Sequence, residues 1–214
     1  MRVFSFFLCA VALLAAPLVQ ADDSAALQRF YQEVDSLSAH FEQQQLAEDG
    51  AVLRESSGIF LLSRPGKFRW EYDQPYRQII VSDGDVLKFY DVGLAQVTIR
   101  AASGTLSSTP ALLLTGSVDL QQAFVVEEAG RRDGLAWLRL TPRSEHSDFK
   151  EIRLGLDAGL PAAMELDDQL GQTTHIRFFD IEVNPSLPAA RFELVVPDGV
   201  TVVDAREQDT QQLR

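Results

Sequence analysis

Between positions 27 and 37 the apolar residues Leu27, Phe30, Tyr31, Val34 and Leu37 recur at threes and fours, the period of an amphipathic helix. Asp22, Asp23 and Ser24 put acidic and capping groups at its start, so the pattern predicts a helix from about Ser24 to Asp35. The stretch Ala39 to Leu46 fits either more helix or a first strand, and the strand is preferred. The period then changes to two. Phe68, Trp70 and Tyr72 alternate with Lys67, Arg69 and Glu71, which places three aromatic rings on one face of a sheet. Further strand-like runs are Gly58 to Leu62, Arg77 to Val81, Val86 to Tyr90 and Leu94 to Ile99, separated by turn residues at Arg64-Pro65-Gly66, Gln74-Pro75, Asp83-Gly84 and Val92-Gly93.

The pattern resumes with Leu135 to Leu140, Phe149 to Leu156, Ala162 to Leu166, Thr173 to Val183 and Arg191 to Val195. Regular spacing and short connections describe an antiparallel meander rather than alternating strand–helix units. Roughly ten strands with one-sided apolar faces predict a strongly curved sheet or an open barrel, a mainly β (α+β) fold. The interruption between the two runs is distinctive. Ser103 to Thr109 is small and polar, and Thr109-Pro110-Ala111-Leu112-Leu113-Leu114-Thr115-Gly116 reads as a short helix that is apolar on nearly every side. Thr109 suits its N-cap, Pro110 its first turn and Gly116 its exit. A second short helix is expected near Asp119 to Ala123. The tail from Asp204 to Arg214 is polar, frayed or at most an edge strand.

The first residues carry a different signal. Arg2 precedes an apolar run from Val3 to Ala16, Pro17 breaks it, and Val19-Gln20-Ala21 offers small residues for cleavage. Residues 1–21 therefore read as a cleavable signal peptide, too short for a comfortable transmembrane helix, and 22–214 as a single exported domain. The only cysteine, Cys9, lies inside that leader, so the mature chain has no disulfide or thiolate chemistry. Charged residues make up 23% and hydrophobic ones 46%, ordinary values for a globular chain. The net charge of −12, one unit more negative once Arg2 is removed, argues against nucleic acid and against resting on an anionic membrane.

Motifs for catalysis are missing from the sequence. His40, His146 and His175 show no metal-ligand spacing, and His146, in Ser144-Glu145-His146-Ser147-Asp148, reads as part of a solvated loop. Gly66-Lys67 echoes a phosphate loop without its leading glycine or its hydroxyl residue, Phe68 standing in that place. Asp167-Asp168 falls in a predicted turn. No cofactor is indicated, and the chain is expected not to be an enzyme. Thirteen Phe, two Trp and four Tyr are the notable inventory, even with three of the Phe in the leader. Composition favours a well-filled core; an internal cavity for a lipid-like ligand is the sharper alternative.

From Ser57-Gly58-Ile59-Phe60 through Arg64-Pro65-Gly66-Lys67-Phe68-Arg69-Trp70, the chain resembles the periplasmic outer-membrane lipoprotein carriers, the LolA family. The resemblance continues through Gln78-Ile79-Ile80-Val81-Ser82-Asp83-Gly84, Phe89-Tyr90-Asp91, Gln96-Val97-Thr98, Thr109-Pro110 with its leucines, and Phe192 to Pro197-Asp198-Gly199-Val200. It implies an unclosed antiparallel β-barrel covered by a short-helix lid, with an apolar cavity between them for lipoprotein acyl chains. It also implies a periplasmic chaperone that receives acylated lipoprotein cargo from an inner-membrane ABC transporter, LolCDE, and hands it to an outer-membrane receptor, LolB. The receptor carries a lipidated cysteine after its leader, which is absent here, so the soluble carrier is the better match, working as a monomer. The resemblance assigns Arg64 a latch role on the lid carbonyls around Leu114 and Thr115; its bland reading is a surface cation before a turn. Phe68, Trp70 and Phe89 then line the cavity or its mouth, with core packing as the alternative, and Leu112 and Leu113 form the lid's underside together with Leu114. Two other functions stay open: a half-barrel carrier of other lipids such as glycolipid or phospholipid, and an exported hydrolase without a recognisable motif.

Overall fold

The computed structural model describes residues 23–102, 111–117, 119–145 and 147–206. The signal-peptide, Thr109–Pro110 and His146 assignments lie outside the described residues, as does the tail from 207 onward. The chain opens with helix α1 (Asp23–Glu33) and then builds six strands: β1 (Ser36–Leu46), β2 (Val52–Ser63), β3 (Lys67–Gln74), β4 (Gln78–Asp83), β5 (Val86–Asp91) and β6 (Gln96–Ala101). Two short helices follow, α2 (Ala111–Thr115) and α3 (Leu120–Ala123). The second run comprises β7 (Phe124–Arg132), β8 (Leu135–Pro142), β9 (Phe149–Asp157), β10 (Leu160–Asp168) and β11 (Thr173–Val183), and after a 3₁₀ turn (Ala189–Phe192) the chain ends in β12 (Thr201–Asp204).

All twelve strands belong to one sheet in the order β12-β6-β5-β4-β3-β2-β1-β11-β10-β9-β8-β7. The two edges, β12 and β7, are not paired to each other, so the barrel stays open. Pairing is antiparallel throughout except at β12, which runs parallel to β6 from Thr201 opposite Gln96 to Asp204 opposite Ile99. The two meanders meet at the seam between β1 and β11, where Phe41 stands opposite Phe178 and Gln43 opposite Ile176. Because β6 and β7 lie near opposite edges, the segment joining them has to cross the open side, and it carries α2 and α3.

Strand alternation separates the two faces. Leu37, Ala39 and Phe41 of β1, Phe60 and Leu62 of β2, Phe68 and Trp70 of β3, and Leu154 and Leu156 of β9 are all buried in one cluster on the concave face. Helix α1 adds Leu27 and Phe30 to the same cluster, and α2 adds Ala111, Leu113 and Leu114. The convex face is charged. Arg153 bonds Glu151 at 2.5 Å, Glu165 at 2.9 Å and Asp167 at 2.8 Å, and the Arg132 guanidinium lies 4.3 Å over the Trp137 ring. The most buried convex carboxylate is Glu71, which accepts from Arg69 at 2.8 Å and Arg77 at 2.6 Å. Arg69 also reaches the Arg191 carbonyl, tying β3 to the 3₁₀ turn that crosses behind it.

Several sequence expectations need correction. The sheet has two strands more than the roughly ten expected from periodicity. Strand β7 is not foreseen because most of it is exposed on both faces and its run of Val, Glu, Gly and Arg lacks alternation. Arg191 to Val195 is not a strand: the 3₁₀ turn Ala189–Phe192 takes its first residues, and Phe192 is buried where that turn packs on β3 and β4. Asp167 and Asp168 close β10 rather than occupying a turn, and the Asp168 carboxylate caps the bend that follows by accepting from Leu170 and Gln172 at 2.8 Å each.

Two glycines differ sharply in what surrounds them. A Cβ at Gly58 would sit 1.8 Å from the Glu71 carbonyl oxygen at the irregular register of β2 and β3, whereas one at Gly93 would meet only the Asp91 side chain at 3.4 Å. Gly58→Ala is expected to cost about 3 kcal/mol or more in urea unfolding, and Gly93→Ala about 1 kcal/mol or less. At Glu71, burial raises the carboxyl pKa, but hydrogen bonds and charge from Arg77 and Arg69 outweigh it and hold the group below its ordinary value. Its contribution to stability is therefore present above the unfolded carboxyl pKa and disappears as pH falls through the lower folded value. Glu71→Gln should be less stable than wild type at pH 7, with the gap narrowing in acid; a pH-independent gap would remove the linkage argument.

Candidate functional site

Helix α2 has five residues, too few to hold its own backbone in water, so its stability has to come from what it touches. Below it lies the apolar concave face, on which Leu113 and Leu114 are buried to 3% and 2% exposure. Beside it lies Arg64, at the connection between β2 and β3. The Arg64 amide donates to the Asp35 carbonyl at 2.8 Å, which docks the turn against the exit of α1. Gly66 completes the turn in the left-handed region at φ +69°.

From there the Arg64 side chain spans two helix ends. Its Nε donates to the Val34 carbonyl at 2.6 Å, and its Nη1 donates to the Thr115 carbonyl. The guanidinium also packs over the rings of Phe30 at 4.9 Å and Tyr31 at 5.1 Å. Carbonyls at a helix C-terminus lack intrahelical donors and carry partial negative charge, so one delocalised cation with several fixed donors satisfies both ends. Tyr31 adds a third tie by donating its hydroxyl to the Leu113 carbonyl at 2.7 Å. Burial pushes the Tyr31 pKa far up and keeps the hydroxyl a donor. Burial also lowers the Arg64 pKa, against the pull of Tyr31 and Asp35; a guanidinium starts so high that it stays charged. Its remaining nitrogen, Nη2, is buried without a hydrogen-bond partner.

Gly116 is indispensable here for two independent reasons. It leaves α2 at φ +68°, and a Cβ added to it would lie 2.7 Å from Arg64 Nη1. The sequence offers Gly116 as a helix exit but gives no sign that it also makes room for the guanidinium. Val34 and Tyr31 are likewise visible only as helix positions, because backbone acceptors and a long-range hydroxyl bond leave no local pattern.

The residues singled out from the sequence converge on this region. Arg64 and Thr115 are bonded directly. The Leu114 side chain is buried in the core cluster, and the second carbonyl to which Arg64 donates is that of Val34 rather than of Leu114. Phe68 is fully buried and Trp70 is 4% exposed, both in the cluster that Leu113 joins. Phe89 is half-buried at the edge of that cluster. The Leu112 side chain lies outside the described residues. Around Trp70 the rings of Phe41, Phe60 and Phe178 stand at 4.7, 5.1 and 5.9 Å, an aromatic box drawn from four strands. A cavity of about 1160 Å³ has Gln43, Met164, Ile176 and Phe178 in its lining, and the lid's own Leu113 and Leu114 are buried in the core cluster. A recess of about 670 Å³ lined by Leu27, Tyr31, Leu120 and Phe124 leads between α1 and α3 towards it.

The groups considered for other chemistry are scattered. His40 lies 3.6 Å from Asp180 with both side chains exposed, and His175 is on the convex face of β11. Among the described residues no cluster of His, Cys, Asp or Glu is arranged to hold a metal, and no helix is long and apolar enough to cross a membrane.

Comparison with known proteins agrees with this architecture. The family described as Outer membrane lipoprotein carrier protein LolA matches residues 32–195. The outer-membrane lipoprotein carrier protein of Dechloromonas aromatica is 44% identical over 177 residues, covering 83% of this chain and 85% of its own. That of Bordetella avium is 42% identical over 199 residues, covering 92% and 95%. Among solved structures, an uncharacterized conserved protein from Thermus thermophilus superposes with a TM-score of 0.55 at 16% identity, covering 85% of this chain and 98% of its own, a likeness of fold alone. With a matched segment running from within α1 to beyond the 3₁₀ turn, and with relatives this similar over nearly their whole length, the chain belongs to the LolA family of outer-membrane lipoprotein carrier proteins.

Proposed function

We propose that this protein is a periplasmic chaperone that shelters the acyl chains of lipoproteins between its curved sheet and its helical lid, and that it is not an enzyme. The observation that carries the reading is the single guanidinium of Arg64 holding two helix ends over an apolar face. A cover held this way is removable. Burying Leu113 and Leu114 contributes about 1.5–3 kcal/mol each, and the charge-assisted bonds of Arg64 about 1.5–3 kcal/mol apiece. An acyl chain of about 15 methylenes gains on the order of 12 kcal/mol by leaving water, so cargo with two or three chains displaces the lid.

The cargo enters where Leu113 and Leu114 leave, against Phe68, Trp70 and Phe89, and Arg64 releases Thr115 as α2 moves. Residues 1–21 serve as the export leader, and 22–214 form one carrier domain. The names of its relatives support lipoprotein cargo; the family resemblance implies the inner-membrane transporter LolCDE as donor and the outer-membrane receptor LolB as acceptor. The acidic surface suits basic patches on such partners. Handover needs no chemistry in the carrier: once the cargo departs, the lid's leucines and the Arg64 bonds recover the closed state.

The decisive assay is release: purified mature protein added to transporter proteoliposomes holding an acylated lipoprotein. A soluble one-to-one complex, absent with unacylated cargo, is expected. Release of nothing, with phospholipid or glycolipid co-purifying, would leave the fold standing and the cargo wrong. Arg64→Leu removes the interactions that favour the empty closed form, so it should bind cargo about ten- to a hundredfold tighter and hand it over correspondingly more slowly. Gly116→Ala, which drives a Cβ into the guanidinium, should shift transfer in the same direction while keeping the cation. Unchanged uptake and handover in both variants would remove the latch.

A further inference from the structure

The exit of α1 is enclosed from two sides. The last turn of the helix carries no basic residue, and Glu33 and Asp35 add negative charge where carbonyls already lack intrahelical donors. Three successive carbonyls there accept from outside the helix. Glu33 accepts from Asn184 Nδ2 at 3.0 Å, Val34 from Arg64 Nε at 2.6 Å and Asp35 from the Arg64 amide at 2.8 Å. The two amides that follow belong to the same asparagine: its Oδ1 accepts from the Asp35 amide at 2.8 Å and from the Ser36 amide at 3.2 Å. The Asn184 amide donates to the Ser36 carbonyl at 2.8 Å, and the Ser36 hydroxyl donates to the Pro185 carbonyl at 2.7 Å. Residues 33–36 are thus held between Arg64, on the turn from β2 to β3, and Asn184, just past the end of β11.

Asn184 does this from a costly backbone. It lies at φ +55°, a left-handed conformation that asparagine tolerates better than most side chains. It follows the last pair of β11 with β1, Val183 opposite Leu37, which sets it beside the helix exit. Both ends of its carboxamide are used, the oxygen twice and the nitrogen once. Aspartate accepts without donating, and glycine adopts the backbone while doing neither.

The two carbonyls that Arg64 bridges therefore differ in what holds them. Thr115 ends a five-residue helix. Val34 lies inside the clamped segment, with the Glu33 carbonyl before it and the Asp35 amide after it both bonded to Asn184. We propose that Asn184 is a positioning residue for the latch: by fixing residues 33–36 it keeps the Val34 carbonyl in front of Arg64, so the guanidinium stays on α1 when α2 leaves and is already aimed when Thr115 returns. Helix α1 is then the fixed side of the lid and α2 the moving side. This rests on the carrier reading and extends it, because the balance between uptake and handover is set in part by a residue that acts through the helix end.

The test is a double-mutant cycle with Arg64→Leu, read as affinity for acylated lipoprotein and rate of handover. Asn184→Gly keeps the left-handed backbone and removes all three side-chain bonds. It should bind cargo about three- to tenfold tighter than wild type and hand it over correspondingly more slowly, the effect of losing solvent-exposed hydrogen bonds behind the latch. In the Arg64→Leu background the same substitution should leave cargo affinity unchanged, because the group it positions is gone. A purely structural role changes affinity by the same factor in both backgrounds. In wild-type protein the Arg64 Nε–H should exchange slowly with water when empty and stay slow once loaded, a measurement that decides the matter even if Asn184→Gly fails to fold. Unchanged affinity in Asn184→Gly, an equal change with and without Arg64, or loss of Nε–H protection on loading would each overturn the proposal and leave the carrier reading intact. Failure of the wild type to bind acylated lipoprotein would overturn both.

Discussion

The carbonyl oxygens of Val34 and Thr115, at the ends of two helices far apart in sequence, accept from one guanidinium, and on that convergence rests the cover of a sheet face that the fold cannot close by itself. A barrel that met its own edge would bury its inner face permanently. Here β12 and β7 remain apart, and the apolar concave residues need a cover supplied by α1 and α2. Helix α2 cannot form alone at five residues, so cover and latch exist together or not at all. The placing of Arg64 on the β2–β3 turn matters for the same reason: the turn is docked on Asp35, so the cation is positioned by the frame and the lid comes to it.

The frame itself has little reason to move. Every strand from β1 to β11 is bonded on at least one side along much of its length, and convex ion pairs such as Arg153 with Glu151, Glu165 and Asp167 cross-link β9 and β10 behind the apolar face. Individually, exposed ion pairs contribute little, but one arginine bridging three carboxylates on two adjacent strands also fixes register. The arginine–carboxylate networks lie on the convex side, where they aid solubility. Change between empty and loaded states then falls on the segment that is least self-sufficient, the crossing from β6 to β7.

Much of this was legible in the residues. Period-two alternation located β3, β5 and β11 closely, and the apolar run at Ala111 to Thr115 with its glycine exit marked the lid, because each signal is local. Arg64 stood out only through resemblance, since an arginine before a Pro-Gly turn is otherwise unremarkable. What could not be read depends on distant partners. The strand β7 forms because β8 offers it an edge, despite a sequence exposed on both sides. Residues 191–195 look like a strand by composition, yet the chain there crosses behind β3 and β4 and is held by Arg69 and by burial of Phe192. Phe41, Phe60 and Phe178 become one box with Trp70 only once β1, β2, β3 and β11 are neighbours.

A carrier with no energy source of its own must have a closed state good enough to compete with cargo and poor enough to yield to it. A lid that buries Leu113 and Leu114 in the core meets that condition. If the empty protein held a permanent dry cavity, cargo would bind with the full transfer energy of its chains, and no passive acceptor would recover it. On the proposed carrier reading, the buried Leu113 and Leu114 give way to cargo, so binding is an exchange whose net strength is the difference between acyl chains and lid. Affinity is thus set by how well the lid packs and how firmly Arg64 holds it.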